Sequence, residues 1–113
     1  MALYNELPVY KATYDLLLEI FRFTANFNKQ YKYTLGENLK METLNLIKAI
    51  YRANSEADKN ETLRLACEQV EVIRVQVRIL KDLKQISLKS FIRINLQIEN
   101  VSKQFRGWLK SQK

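Results

Sequence analysis

The chain has no histidine, one cysteine, one proline and two glycines among its 113 residues. Without histidine it lacks the usual general base and the commonest metal ligand. A Ser-His-Asp triad, a zinc finger and a di-iron bundle built on Glu-x-x-His are thereby excluded. The lone Cys67 has no internal disulfide partner, the usage expected of a reducing cytoplasm. So little Gly and Pro leaves few turn signals, which argues against a many-turned β-sandwich or barrel. No apolar run approaches the roughly 18 residues of a membrane span. The opening MALYNELPVYK has no basic region ahead of an apolar one, so a secretory leader is not expected either. What remains is an all-α, cytoplasmic, non-catalytic protein with no cofactor. It is read as a single domain over residues 1–113 with a modest core.

What is present is charge, unevenly placed. Residues 1–73 hold nine Lys/Arg and ten Asp/Glu, whereas residues 74–113 hold ten Lys/Arg against only Asp82 and Glu99. A segment this basic attracts polyanions.

Apolar spacing predicts four helices. In the first, from about Leu7 to Phe27, Pro8 suits the first turn, where its missing N–H has no intrahelical partner anyway. Leu7, Tyr10, Tyr14, Leu17, Phe21 and Ala25 form one stripe at 3- and 4-residue steps, taken as the core face. Polar residues 26–32 break the pattern. Thr34 with Glu37 reads as a capping box opening the second helix, whose stripe is Leu35, Leu39, Leu46, Ile50 and Ala53. After the polar loop 53–60, Asp58 with Glu61 opens a third helix reaching Leu83 or Gln85. Its core stripe is Leu63, Ala66, Val70, Ile73, Val77 and Leu80. Ser87 caps the fourth, with Phe91, Ile94, Ile98, Val101, Phe105 and Trp108 inward. Val, Ile and Thr are common in the last two helices, but strict alternation fails and the 3-4 rhythm persists. Short loops between such helices predict an antiparallel up-down-up-down four-helix bundle.

Two helices carry a second apolar stripe. On the first it is Val9, Leu16, Ile20, Phe23 and Phe27; on the third it is Leu65, Val72, Val75, Ile79, Leu83 and Ile86. A surface helix of a monomer should have one apolar face. The surplus is either a wide core edge or a subunit interface, and the interface is favoured because such exposed patches are rare on monomers. Leu16, Ile20, Phe23, Val72, Ile79 and Leu83 are the expected interface residues, in a closed cyclic homo-oligomer.

Arg74, Arg78 and Lys81 share one stripe of the third helix, and Lys84 follows at its C-terminal end, where a cation suits the dipole. Lys89, Arg93, Lys103, Arg106 and Lys110 lie on the fourth, away from its core stripe. Taken singly, each is a solvated surface charge. Taken together, Arg74, Arg78, Lys81, Lys84, Lys89 and Arg93 form the candidate nucleic-acid and partner site, since the arginine fork can give two hydrogen bonds to one phosphate. No Gly-rich phosphate loop or base-reading signature accompanies them. Cys67 reads as a small buried hydrophobe, Trp108 as a core lid and Glu61, Glu68 and Glu71 as surface charge. Tyr10, Tyr14, Tyr31, Tyr33 and Tyr51 have rings able to stack on bases, with Tyr10 and Tyr14 assigned to packing.

Four segments, LPVYKATYDLL (7–17), YKYTLGE (31–37), IYRAN (50–54) and SKQFRGWLK (102–110), resemble the accessory variability determinant (Avd) proteins of bacterial and phage diversity-generating retroelements. The resemblance spans essentially the whole chain, and YKYTLGE is its most specific piece. It implies a homopentameric barrel of four-helix protomers with a basic surface. It further implies binding of a reverse transcriptase and template RNA, or DNA, in support of adenine-mutagenic cDNA synthesis, with no catalytic motif to carry over. The same fold family includes ribosomal-protein-like bundles encoded in intervening sequences of rRNA genes. Such a bundle would be a structural adaptor with only nonspecific nucleic-acid affinity.

Overall fold

Four long amphipathic segments become four helices in the computed structural model, which describes residues 2–112. They are α1 (Pro8–Thr24), α2 (Glu37–Ser55), α3 (Asn60–Asp82) and α4 (Leu88–Lys110), and no strand occurs among the described residues. α1 packs on α2 and α4, and α3 packs on the same two. The result is a helical bundle in which α1 and α3 are diagonal neighbours. The core stripes expected for α3 and α4 are buried from Leu63 to Leu80 and from Ile94 to Phe105. Leu39, Leu46 and Ile50 enclose them from α2.

α1 corrects the sequence reading. Leu16 and Ile20, assigned to a subunit interface, are 0% exposed, and Val9 and Phe27 of the same stripe are also core. Phe23 is partly buried against that core, with its ring stacked on Phe27 at 5.6 Å. Of the stripe taken as the core face, Leu17 is buried and Leu7 and Tyr10 pack against the core, but Tyr14 is exposed to 41% and Phe21 to 52%. The reason lies in two buried threonines. Thr13 Oγ1 donates to the Val9 carbonyl at 2.7 Å and Thr24 Oγ1 to the Phe21 carbonyl at 3.2 Å. Hydroxyls satisfied by their own helix can be buried at little cost. The true core face therefore looks more polar in sequence than the aromatic stripe, half of which is left outside.

The helix ends were legible in part. Pro8 stands at the start of α1, and the Ser87 hydroxyl accepts the Ser90 N–H at 3.1 Å. Thr34 does not cap α2. Residues Lys32–Gly36 form a π-helical turn, and Thr34 Oγ1 donates to the Gln30 carbonyl at 2.7 Å. A Cβ on Gly36 would sit 3.3 Å from the Tyr31 carbonyl oxygen and 3.4 Å from a Phe27 ring carbon. A side chain there would have to push the turn or the ring aside. Asp58 Oδ1 accepts the Asn60 N–H at 3.1 Å, but Glu61 turns to Arg64 rather than closing a capping box. Burial pushes the Cys67 thiol up from its ordinary value, which keeps it protonated and suits a packing role. No helix among the described residues is long and apolar enough to cross a membrane.

Candidate nucleic-acid interface

The Gln85 N–H donates to the Leu80 carbonyl and the Lys84 N–H to the Lys81 carbonyl, both at 2.9 Å. This pattern ends a helix with a left-handed residue, normally glycine. Here that residue is Lys84, at φ 61°. An L side chain in this region costs about 1–2 kcal/mol, and Lys84 is exposed to solvent. Replacing it should therefore separate stability from binding. Lys84→Gly is expected to raise stability by about 1 kcal/mol, read from the urea midpoint, while weakening polyanion binding. A variant that is more stable and binds equally well would show that the charge at this position does nothing.

The six cations singled out from the sequence divide into two kinds. Arg74 lies 3.2 Å from both Glu71 and Glu99, and Arg78 lies 3.4 Å from Asp82. Arg93 reaches across to Glu19 of α1 at 3.2 Å, a carboxylate whose side chain is only 13% exposed. Each arginine thus stands beside a carboxylate that offsets its field. Exposed pairs of this sort add little stability, but they leave little net charge for a ligand. Lys81, Lys84 and Lys89 have no acidic partner within 4.0 Å among the described residues.

Tertiary structure adds cations that charge counting passed over. The Asn28 N–H donates to Gln85 Oε1 at 2.8 Å. That bond fastens the α1–α2 connection to the α3–α4 connection. Lys29 and Lys32 follow directly, and Arg22 lies one turn past Glu19 on α1. None of the three has an acidic partner among the described residues. Arg22, Lys29, Lys32, Lys81, Lys84 and Lys89 thus form one basic pole, drawn from both halves of the chain. The near-neutral balance of residues 1–73 hid its first three members. The signal available was the stretch from Asn26 to Lys32, which has two lysines and no acid.

Beside the pole, α4 exposes Leu88, Ile92 and Leu96, and α3 exposes Val72, Val75, Ile79 and Leu83, with Leu65 exposed towards the far end of that helix. Val72, Ile79 and Leu83 are therefore outside the protomer core, as the sequence reading placed them. Ile86, assigned to the same stripe, is buried beyond the helix end. Between the two helices lies a groove of about 300 Å³ lined by Arg74, Val75, Arg78, Ile79, Phe91 and Asn95. The Asn95 side-chain oxygen is buried there without a hydrogen-bond partner.

Comparison with known proteins gives one family. The model of the bAvd-like family matches residues 8–112. No curated protein matches the chain.

Proposed function

The chain belongs to the bAvd-like family, and from that premise we propose that it is a non-catalytic accessory protein of a diversity-generating retroelement. In this reading it binds template RNA and the element's reverse transcriptase and supports mutagenic cDNA synthesis. The observation that carries it is the basic pole. Six cations with no described acidic partner, from the two stretches 22–32 and 81–89, gather at one end of the bundle. Clustered unpaired lysines release counterions from a phosphate backbone without reading bases. The polymerase is assigned to the flank beside the pole, where exposed Leu88, Ile92 and Leu96 alternate with Lys89 and Arg93. Apolar anchors set among charges suit a protein partner better than a phosphate chain.

We further read the bundle as up-down-up-down and the working form as a cyclic homo-oligomer, five copies being what the family resemblance implies. Two apolar faces support a ring. The α1–α2 face exposes Tyr14, Phe21, Leu44 and Tyr51, and the opposite α3–α4 face exposes Val72, Val75, Ile79 and Leu83 around the Asn95 groove. Two different patches on opposite sides make a head-to-tail contact, which gives a ring when the rotation closes, rather than a two-fold dimer.

The reading is tested by RNA binding at several salt concentrations, with the mass of the assembly measured in the same buffers. Six phosphate contacts on single-stranded RNA would give a log-log salt slope of about −4 per protomer. Binding with such a slope by a closed oligomer, and retention of a reverse transcriptase of this class of element, are the expected results. Negligible RNA binding near physiological salt would instead leave an adaptor whose basic end serves a protein partner.

A further inference from the structure

Three aromatic rings at the pole end have a lysine over them. Lys32 Nζ stands 5.8 Å from the centre of the Tyr33 ring, Lys40 Nζ 4.9 Å from Phe21 and Lys81 Nζ 5.2 Å from Phe91. Phe91 is partly buried against the core, and Phe21 lies on the flank already assigned to subunit contact. Tyr33 differs from both. It is 63% exposed and sits in the π-helical turn Lys32–Gly36. It takes no part in the ring pairs that join Tyr4, Tyr10, Tyr14 and Tyr51. Its hydroxyl has no hydrogen-bond partner among the described residues. The fold makes little use of this side chain.

The turn explains how the ring comes to be displayed. A π-helical turn holds one more residue than an α-turn and recurs at functional positions. Here it is held from beneath by the close approach of Gly36 to Phe27 and to the Tyr31 carbonyl, while Tyr31 packs inward. The extra residue leaves Tyr33 outside, next in the chain to Lys32 and four residues after Lys29. A ring with lysines beside it is a two-part receptor for an unpaired nucleotide. The ring face accepts the base and the ammonium groups accept the flanking phosphates. A base inside a duplex already has both faces stacked and gains nothing from the ring.

We propose that Tyr33 is a stacking platform for an unpaired RNA base, so that the basic pole takes single-stranded RNA in preference to duplex. The inference rests on the reading of the pole as an RNA surface given above. Lys29 and Lys32 hold the phosphates on either side of the stacked base.

The test uses the intact protein with a labelled oligoadenylate of about 12 nucleotides, within the usual span of single-strand sites, and with an RNA duplex of the same phosphate count. Tyr33→Leu, which keeps bulk but removes the π face, is expected to weaken oligoadenylate binding by roughly 5- to 100-fold. Duplex binding should be unchanged, and Tyr33→Phe should behave as the parent on both probes. Lys29→Gln with Lys32→Gln should weaken both probes together. If Tyr33→Leu binds oligoadenylate as the parent does while the lysine variant loses it, the stacking proposal fails and the RNA reading of the pole stands. If the parent binds neither probe, both fail. Circular dichroism of Tyr33→Leu confirms that the turn has not unfolded the bundle.

Discussion

Neutralising the pole should abolish most RNA binding without touching the fold. A variant carrying Lys29→Gln, Lys32→Gln, Lys84→Gln and Lys89→Gln is expected to lose roughly 10²- to 10³-fold in affinity at about 0.1 M salt. The estimate follows from counterion release, since a slope of about 0.7 per contact makes each contact worth a factor of about 5 at that salt. The salt slope should fall by about 3 at the same time, because four contacts are gone. Thermal stability should hold, as the four side chains have no acidic partner to lose among the described residues. The matched control is Arg74→Gln with Arg78→Gln. Those charges are already engaged by Glu71, Glu99 and Asp82, so they make fewer phosphate contacts, and their removal should lower affinity and the salt slope by much less than the lysine variant does. If the arginine pair proves decisive and the four lysines do not, the RNA surface lies along the outer face of α3, where sequence periodicity alone would put it.

The second large effect concerns two isoleucines that look alike in sequence. Ile20→Glu should unfold the protomer, because the carboxylate would enter a site that is 0% exposed. An unpartnered buried charge costs about 3–5 kcal/mol, a large share of a domain stability of about 5–15 kcal/mol. Ile79→Glu should leave the helix content intact, since Ile79 is 40% exposed. In a ring closed through the α3–α4 face it should instead yield a monomer. Helix content from circular dichroism and mass from light scattering separate the cases. A folded Ile20→Glu would return Leu16 and Ile20 to the outside of the protomer. An Ile79→Glu protein of unchanged mass would remove α3 from the subunit contact.

The contrast between α1 and α3 shows where sequence periodicity stops being informative. On α3 the inner stripe from Leu63 to Leu80 is unbroken and the outer stripe is interrupted by Glu68 and Asp82, so the two faces were told apart correctly. On α1 both stripes are apolar, and the buried one contains Thr13 and Thr24. Counting apolar residues then favours the aromatic stripe, whose Tyr14, Phe21 and Ala25 lie outside. Local signals fared similarly. Ser87 and Pro8 were readable because their chemistry is satisfied within one turn. The π-helical turn at Lys32–Gly36 was not readable, because it depends on Gly36 fitting against Phe27 from the preceding helix end.

The basic site divides along the same line. By itself the sequence determined the number of long helices, the core of three of them and the excess of positive charge after residue 73. All of these are sums or periods over neighbouring residues. Only the tertiary structure decided which face of α1 is inside. It also decided which arginines are balanced by a carboxylate, and that Arg22, Lys29 and Lys32 share one end with Lys81, Lys84 and Lys89. The physical reason is range. A helical period is set by bonds three and four residues apart, whereas the field of a charge depends on every group within about 10 Å. Packing four helices against one another makes such neighbours of residues as distant in the chain as Asn28 and Gln85.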